Sequence, residues 1–125
     1  MTQEERELLT KDLCARIPYG VYCKVEGIEE PKKLIRIEVD EVDGVLLDFG
    51  SNEDGLPIQV YLSEVKPYLR QMSSMTDEEK EEYIGTMVEL PNEEHLIRTL
   101  RTIDFCNSNQ LDCRGLILKG LAIEK

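Results

Sequence analysis

Residues 35–50 read IRIEVDEVDGVLLDFG, and their alternation decides the fold class. Ile35, Ile37 and Val39 take every second position against Arg36, Glu38 and Asp40, the period of a half-buried strand. Asp43-Gly44 is a tight-hairpin signal, because both residues accept the backbone angles of a two-residue turn. Val45, Leu47 and Phe49 supply the returning strand. Working outward, Val21, Cys23 and Val25 alternate with Tyr22, Lys24 and Glu26. Ile58, Val60 and Leu62 do the same after a turn over residues 51–55. Four short antiparallel strands in sequence, a meander, are expected. Residues 27–33, with Pro31, read as a loop between the first two.

Helices flank this sheet. Thr2 followed by Glu5 has the capping-box form, and Leu8, Leu9, Leu13, Cys14 and Ile17 make an apolar stripe at helical spacing. Pro18-Tyr19-Gly20 ends that helix. Residues 63–69 carry Pro67 and predict a single 3₁₀-like turn, anchored by Tyr68, Leu69 and Met72. Thr76 and Glu79 form a second capping box opening an acidic helix over residues 77–84, with Gly85 as its stop. Residues 86–90 are β-prone and offer a fifth strand. Leu96, Ile97, Leu100, Ile103 and Cys106 place a last helix at residues 94–107. Residues 112–125 read as a turn and a docked extended tail. The fold class is therefore α+β: a small curled antiparallel sheet of four to five strands, with an SH3-like barrel as its candidate form. An N-terminal helix and two later helices pack around it, all within one domain spanning residues 1–125.

Composition limits the function. The 125 residues carry 26 Asp plus Glu against 15 Lys plus Arg, a formal charge of −11, with 41% hydrophobic residues. A chain of this size buries roughly two-thirds of its unfolded surface, enough for a core without staples. No window reaches the ~18 apolar residues of a membrane span, and the acidic first residues do not resemble a secretory signal. A cytoplasmic setting is expected, with no membrane contact. The charge repels phosphate backbones, and Lys32-Lys33 is the only adjacent basic pair, preceded by Glu29 and Glu30. No nucleic-acid partner is expected; a protein partner is. Cys14, Cys23, Cys106 and Cys113 contain no Cys-x-x-Cys pair, so reduced thiols are expected, with Cys14 and Cys23 on apolar faces. With His95 as the one histidine, neither a zinc site nor any other metal or cofactor is expected.

Several motifs have ordinary readings. Asp48-Phe49-Gly50 spells the kinase metal triplet without the rest of the kinase set, so a core phenylalanine beside a turn glycine accounts for it. Gly115 and Gly120 have phosphate-loop spacing but are followed by Leu121-Ala122. Asn52, Asp54 and Gly55 suggest calcium, yet the implied loop has Gly50 and Tyr61 where acids are needed, and a turn suffices. Glu38 and Asp40 share a strand face about 7 Å apart, as solvated acids. His95, Arg98 and Arg101 line one side of the last helix and are the candidate partner contact. Glu94 is placed to pair with Arg98.

Two strings near the start, Lys11-Asp12-Leu13-Cys14-Ala15-Arg16 and Pro18-Tyr19-Gly20-Val21, combine with Val65-Lys66-Pro67-Tyr68-Leu69-Arg70 and Met72-Ser73-Ser74-Met75-Thr76. The tail adds Asp112-Cys113-Arg114-Gly115-Leu116-Ile117 and Lys119-Gly120-Leu121-Ala122-Ile123. Together they resemble a family of small uncharacterised proteins of gut-dwelling bacteria, their prophages and mobile elements. The resemblance implies a setting and no catalytic residue. The leading expectation is a non-enzymatic interaction or accessory module. A DNA mimic or anti-defence protein is the alternative; it would need its acids on one face, whereas they run from Glu4 to Glu124. An unrecognised small enzyme is the third.

Overall fold

A computed structural model of the chain describes residues 1–40, 44–88 and 95–125. It is α+β, with two sheets of four and three strands and three helices among those residues.

Helix α1 (Gln3–Arg16) starts at the expected capping box, with the Glu5 N–H donating to Thr2 Oγ1 at 3.1 Å and the Thr2 N–H to Glu5 Oε1 at 3.0 Å. Its inward face differs from the expected stripe. Leu9 and Leu13 are buried, but Asp12 and Arg16 complete that face, and Cys14 is exposed. Positions 9, 12, 13 and 16 lie three and four apart, on one side of the helix; Cys14 is turned about 100° from Leu13.

Strands β1 (Tyr22–Val25) and β2 (Ile28–Lys33) form a hairpin, so residues 28–33 are a strand and not a loop. Glu29, Glu30 and Pro31 are poor strand formers, yet they sit at the sheet edge, where a missing N–H and outward charges are tolerated. Strands β3 (Arg36–Asp40), β4 (Gly44–Ser51) and β5 (Pro57–Tyr61) form the second sheet, with Ile37 opposite Leu47 and Val39 opposite Val45. The expected two-residue turn at Asp43-Gly44 is not formed: Gly44 opens β4 opposite Asp40 with φ 81°, which glycine adopts without strain, and Asp43 lies outside the described residues.

The four strands are therefore not one meander. After a 3₁₀ turn at Leu62–Glu64 comes β6 (Val65–Leu69), which the sequence reading took wholly for a turn. It pairs antiparallel with β1, Cys23 opposite Pro67 and Val25 opposite Val65. Val65, Pro67 and Leu69 all face the core, the period of a buried strand hidden by its proline. Helix α2 (Asp77–Thr86) runs through Gly85, and Thr86 ends it, so residues 86–88 are no strand; residues 89 and 90 lie outside the described residues. Thr86 Oγ1 donates to the Tyr83 carbonyl and lies 3.0 Å from Thr102 Oγ1. Helix α3 (His95–Ser108) follows; the predicted start at Glu94 lies outside the described residues. The tail docks as β7 (Ile123–Glu124), parallel to β6 at Tyr68 and Leu69.

One core joins α1, both sheets and the tail through Leu13, Cys23, Leu47, Leu69 and Leu116. A second, smaller cluster of Phe105, Cys106 and Leu111 packs on Met72, Met75 and Tyr83, holding α2 and α3 to the sheet.

Candidate functional site

The three residues singled out on α3 do not act as a unit. Arg101 reaches across to α2, donating to the carbonyls of Thr86 and Val88, each at 3.0 Å. A guanidinium there satisfies carbonyls that a helix end leaves open and opposes the negative end of its dipole. Arg98 lies 2.6 Å from His95 Nδ1. Guanidinium only donates, so that ring nitrogen accepts. Arg101 is thus a tie between helices, and His95 with Arg98 sits at the exposed start of α3.

Around them is an apolar surface. Ile84, Met87 and Val88 at the end of α2, with Leu96, Ile97 and Leu100 in the first turns of α3, are between 44% and 63% exposed. Arg101 fixes Val88 against α3, and Met87 borders a hollow of about 400 Å³ with Arg98, Thr99 and Ile103. Single exposed apolar residues are ordinary; six at one end of a helix pair are not. On α2, Glu78 in the first turn and Glu81 and Glu82 in the middle of the helix are exposed. In the sequence, Leu96, Ile97 and Leu100 serve only to place the last helix. Their exposure follows from the core contact of α3, which begins only near Phe105.

The remaining motif residues are engaged in structure. Asp48 Oδ1 accepts from the Gly50 N–H and Oδ2 from Arg36, and Phe49 is in the core. Asn52 Oδ1 accepts from the Asp54 and Leu56 N–H groups, closing its turn. Glu38 pairs with Arg36 at 3.0 Å, on the strand surface; the Asp40 side chain lies outside the described residues. Between Gly115 and Gly120, where a phosphate loop would offer its amides, the Asp112 carboxylate accepts from Leu116 at 2.7 Å and Ile117 at 2.9 Å. The chain supplies its own anion there. No group of three or more His, Cys, Asp or Glu that could hold a metal occurs among the described residues, nor any helix long and apolar enough to cross a membrane.

Sequence reasoning missed a buried polar cluster under α1. Asp12 and Arg16 are fully buried. The Arg16 Nε donates to Asp12 Oδ2 at 2.8 Å, and its Nη2 to Asp12 Oδ1 at 3.0 Å and to the Leu111 carbonyl at 2.7 Å. Arg114 Nη1 adds a bond to Asp12 Oδ1 at 2.8 Å and one to Asn107 Oδ1 at 3.3 Å. Two guanidinium groups thus share one carboxylate. Their neighbours are thiols: Arg114 Nη1 lies 3.8 Å from Cys113 Sγ, and the Cys113 and Cys106 thiols interact electrostatically. The neighbouring Cys106 thiol holds the Cys113 thiol below the ordinary range, with Arg114 assisting; interaction with Cys113 and burial push Cys106 up. The only hint in the sequence is an i,i+4 acid–base pair on the side of α1 that carries Leu9 and Leu13.

Comparison of the chain with protein-family models, curated proteins and solved structures finds no match.

Proposed function

We propose that this protein is a non-enzymatic interaction module that docks a partner protein on the apolar tip of its α2–α3 pair. The carrying observation is the set of six exposed apolar side chains at that tip, held in place by the Arg101 tie. The partner offers an apolar face rimmed by Lys or Arg. Eleven excess negative charges on this chain, and the exposed Glu78, Glu81 and Glu82 on α2, favour such a rim and oppose a nucleic acid, a membrane surface or a second copy. The non-enzymatic reading is supported by how the polar motif residues are used. Asp48, Asp112, Asn52 and His95 are each held by structural hydrogen bonds.

The two sheets are read as an open SH3-like barrel. The β3–β4–β5 meander leads into the 3₁₀ turn at Leu62–Glu64, and β6 returns to β1. Leu34 and Ile35 bridge the sheets, their N–H groups bonding the Val21 and Asp48 carbonyls. The resemblance noted above makes the proposed setting a bacterial cytoplasm, with a mobile element as the source.

A photo-crosslinking residue at position 97, with one at the isolated exposed Leu118 as control, tests this. Expected are adducts from position 97 alone, on an apolar peptide bearing Lys or Arg, lost in the Leu96→Ser/Leu100→Ser variant. Equal labelling from position 118, or cross-links only between copies of this chain, overturns the reading.

A further inference from the structure

We propose that Cys113 and Cys106 form a hydroperoxide-reactive dithiol, with Cys113 attacking the oxidant and Cys106 resolving the product to an intramolecular disulfide. Four features of the fold carry this. First, α3 ends at Ser108, Gln110 two residues on reverses the chain with a φ of 58°, and the Leu111 N–H bonds back to the Cys106 carbonyl at 2.9 Å. The turn carries Cys113 back over the helix end, where Arg114 Nη1 lies 3.8 Å from Cys113 Sγ and 3.3 Å from Oδ1 of Asn107, the residue next to Cys106, and the two thiols influence each other's ionisation.

Second, the two thiols differ in access. Cys113 is exposed, whereas Cys106 is 2% exposed beneath it. An oxidant meets the outer sulfur first, and the inner one is shielded from direct oxidation. Third, the surrounding charge favours a thiolate on the outer sulfur. Arg114 Nη1 lies 3.8 Å from Cys113 Sγ, and Arg114 and Arg16 share the single Asp12 carboxylate. The Asp112 carboxylate is turned onto the amides of residues 116 and 117, and Tyr83 of α2 faces the pair as a neutral phenol. Cys106 in the last turn of α3 sits at the negative end of a helix dipole, which disfavours its own thiolate. Fourth, Arg16 Nη1 is buried without a hydrogen-bond partner, so the cluster retains a cationic donor beyond those its internal bonds use.

The chemistry balances with a hydroperoxide, ROOH, as two-electron oxidant. The Cys113 thiolate attacks the outer peroxide oxygen and the O–O bond breaks. The alkoxide leaves and takes a proton as ROH, and Cys113 becomes a sulfenic acid. Cys106 then loses its proton and its sulfur attacks Cys113 Sγ. Hydroxide leaves, takes that proton as water, and the S–S bond forms. Two thiols and ROOH have become a disulfide, ROH and water.

The full chain is treated with one equivalent of hydrogen peroxide and the products are mapped by peptide mass spectrometry. The expected result is a Cys106–Cys113 disulfide in the native chain and in Cys14→Ser. In Cys106→Ser a dimedone-trappable sulfenic acid should remain at Cys113. Alkylation by iodoacetamide at pH 6, where an ordinary thiol is almost wholly protonated, should run about tenfold faster at Cys113 than at Cys14. Arg114→Gln should narrow that ratio severalfold while the circular dichroism spectrum is retained. Should Arg114→Gln unfold, the native Cys113:Cys14 ratio and the Cys106→Ser trapping still decide. Equal alkylation of Cys14 and Cys113, or a peroxide product lacking the 106–113 link, overturns the proposal.

Discussion

The guanidinium of Arg16 donates to the carbonyl oxygen of Leu111 at 2.7 Å, joining residues 95 positions apart, while Asp12 holds two of its other N–H groups. The end of α1 is thereby fixed to the chain leaving α3, through a charge that no water reaches. Removing one partner of such a pair leaves the other buried and uncompensated. Asp12→Ala should therefore cost about 3–5 kcal/mol. Urea unfolding with an unchanged slope and a lower midpoint would show it; a loss below about 1 kcal/mol would mean that the cluster is hydrated.

A second anchor responds to acid. Glu79 accepts both Arg70 guanidinium nitrogens at 2.8 Å, and also the Thr76 N–H at 3.0 Å. The Arg70 hydrogen bond first, and the Thr76 amide next, hold its carboxyl down from 4.5 to about 2. A depressed carboxyl stabilises the fold fully above its ordinary value, and that contribution is lost as pH falls toward the depressed one. Between about pH 4.5 and 2, Glu79→Gln should show a flatter fall in urea midpoint than the native chain. Parallel curves would show that the pair contributes nothing to folding.

The strand β6 is where the sequence reading of the sheet was shortest, and it supplies a third test. Leu69 is wholly buried between β1 and the tail, and the Lys125 N–H bonds its carbonyl at 2.8 Å. Leu69→Ala should cost about 2–5 kcal/mol, by lost burial and the cavity left behind. An unchanged midpoint would contradict the β1–β6–β7 packing.

Local signals were legible and distant partners were not. Both capping boxes rest on a hydroxyl and a carboxylate three residues apart, so Thr2–Glu5 and Thr76–Glu79 could be read directly. The strands β3 and β4 followed from alternation on either side of Gly44, though their register did not, since Gly44 pairs with Asp40 instead of turning the chain. By contrast β2 exists because β1 pairs with it, against the preferences of Glu29, Glu30 and Pro31, and Pro67 masked the inward period of β6. The candidate site depended still more on tertiary geometry. Nothing near Asp12 announces that Arg114 will reach it, and the Cys106–Cys113 spacing matters only because Gln110 turns the chain back. Arg101, singled out for partner contact, is occupied by α2 carbonyls that no local pattern specifies.

The apolar tip separates stability from binding. Leu96 and Leu100 are 63% and 49% exposed, so replacing them removes little buried surface in the isolated chain. Substitutions away from the core, caps and buried polar groups usually stay within about 0.5 kcal/mol. Leu96→Ser/Leu100→Ser should accordingly leave the urea midpoint nearly unchanged. Truncating anchors that a partner buries at the centre of an interface costs about 2 kcal/mol or more each, so the same variant should weaken binding at least thirtyfold. Arg101→Gln gives the opposite pattern on stability. It strips the donors from the Thr86 and Val88 carbonyls, and should lower the midpoint and loosen α2 from α3. Hydrogen exchange at the last turn of α2 reads this directly. Faster exchange there in Arg101→Gln, with Leu96→Ser/Leu100→Ser unaltered, is the expected outcome; equal protection in both would show that the tip is not held by Arg101.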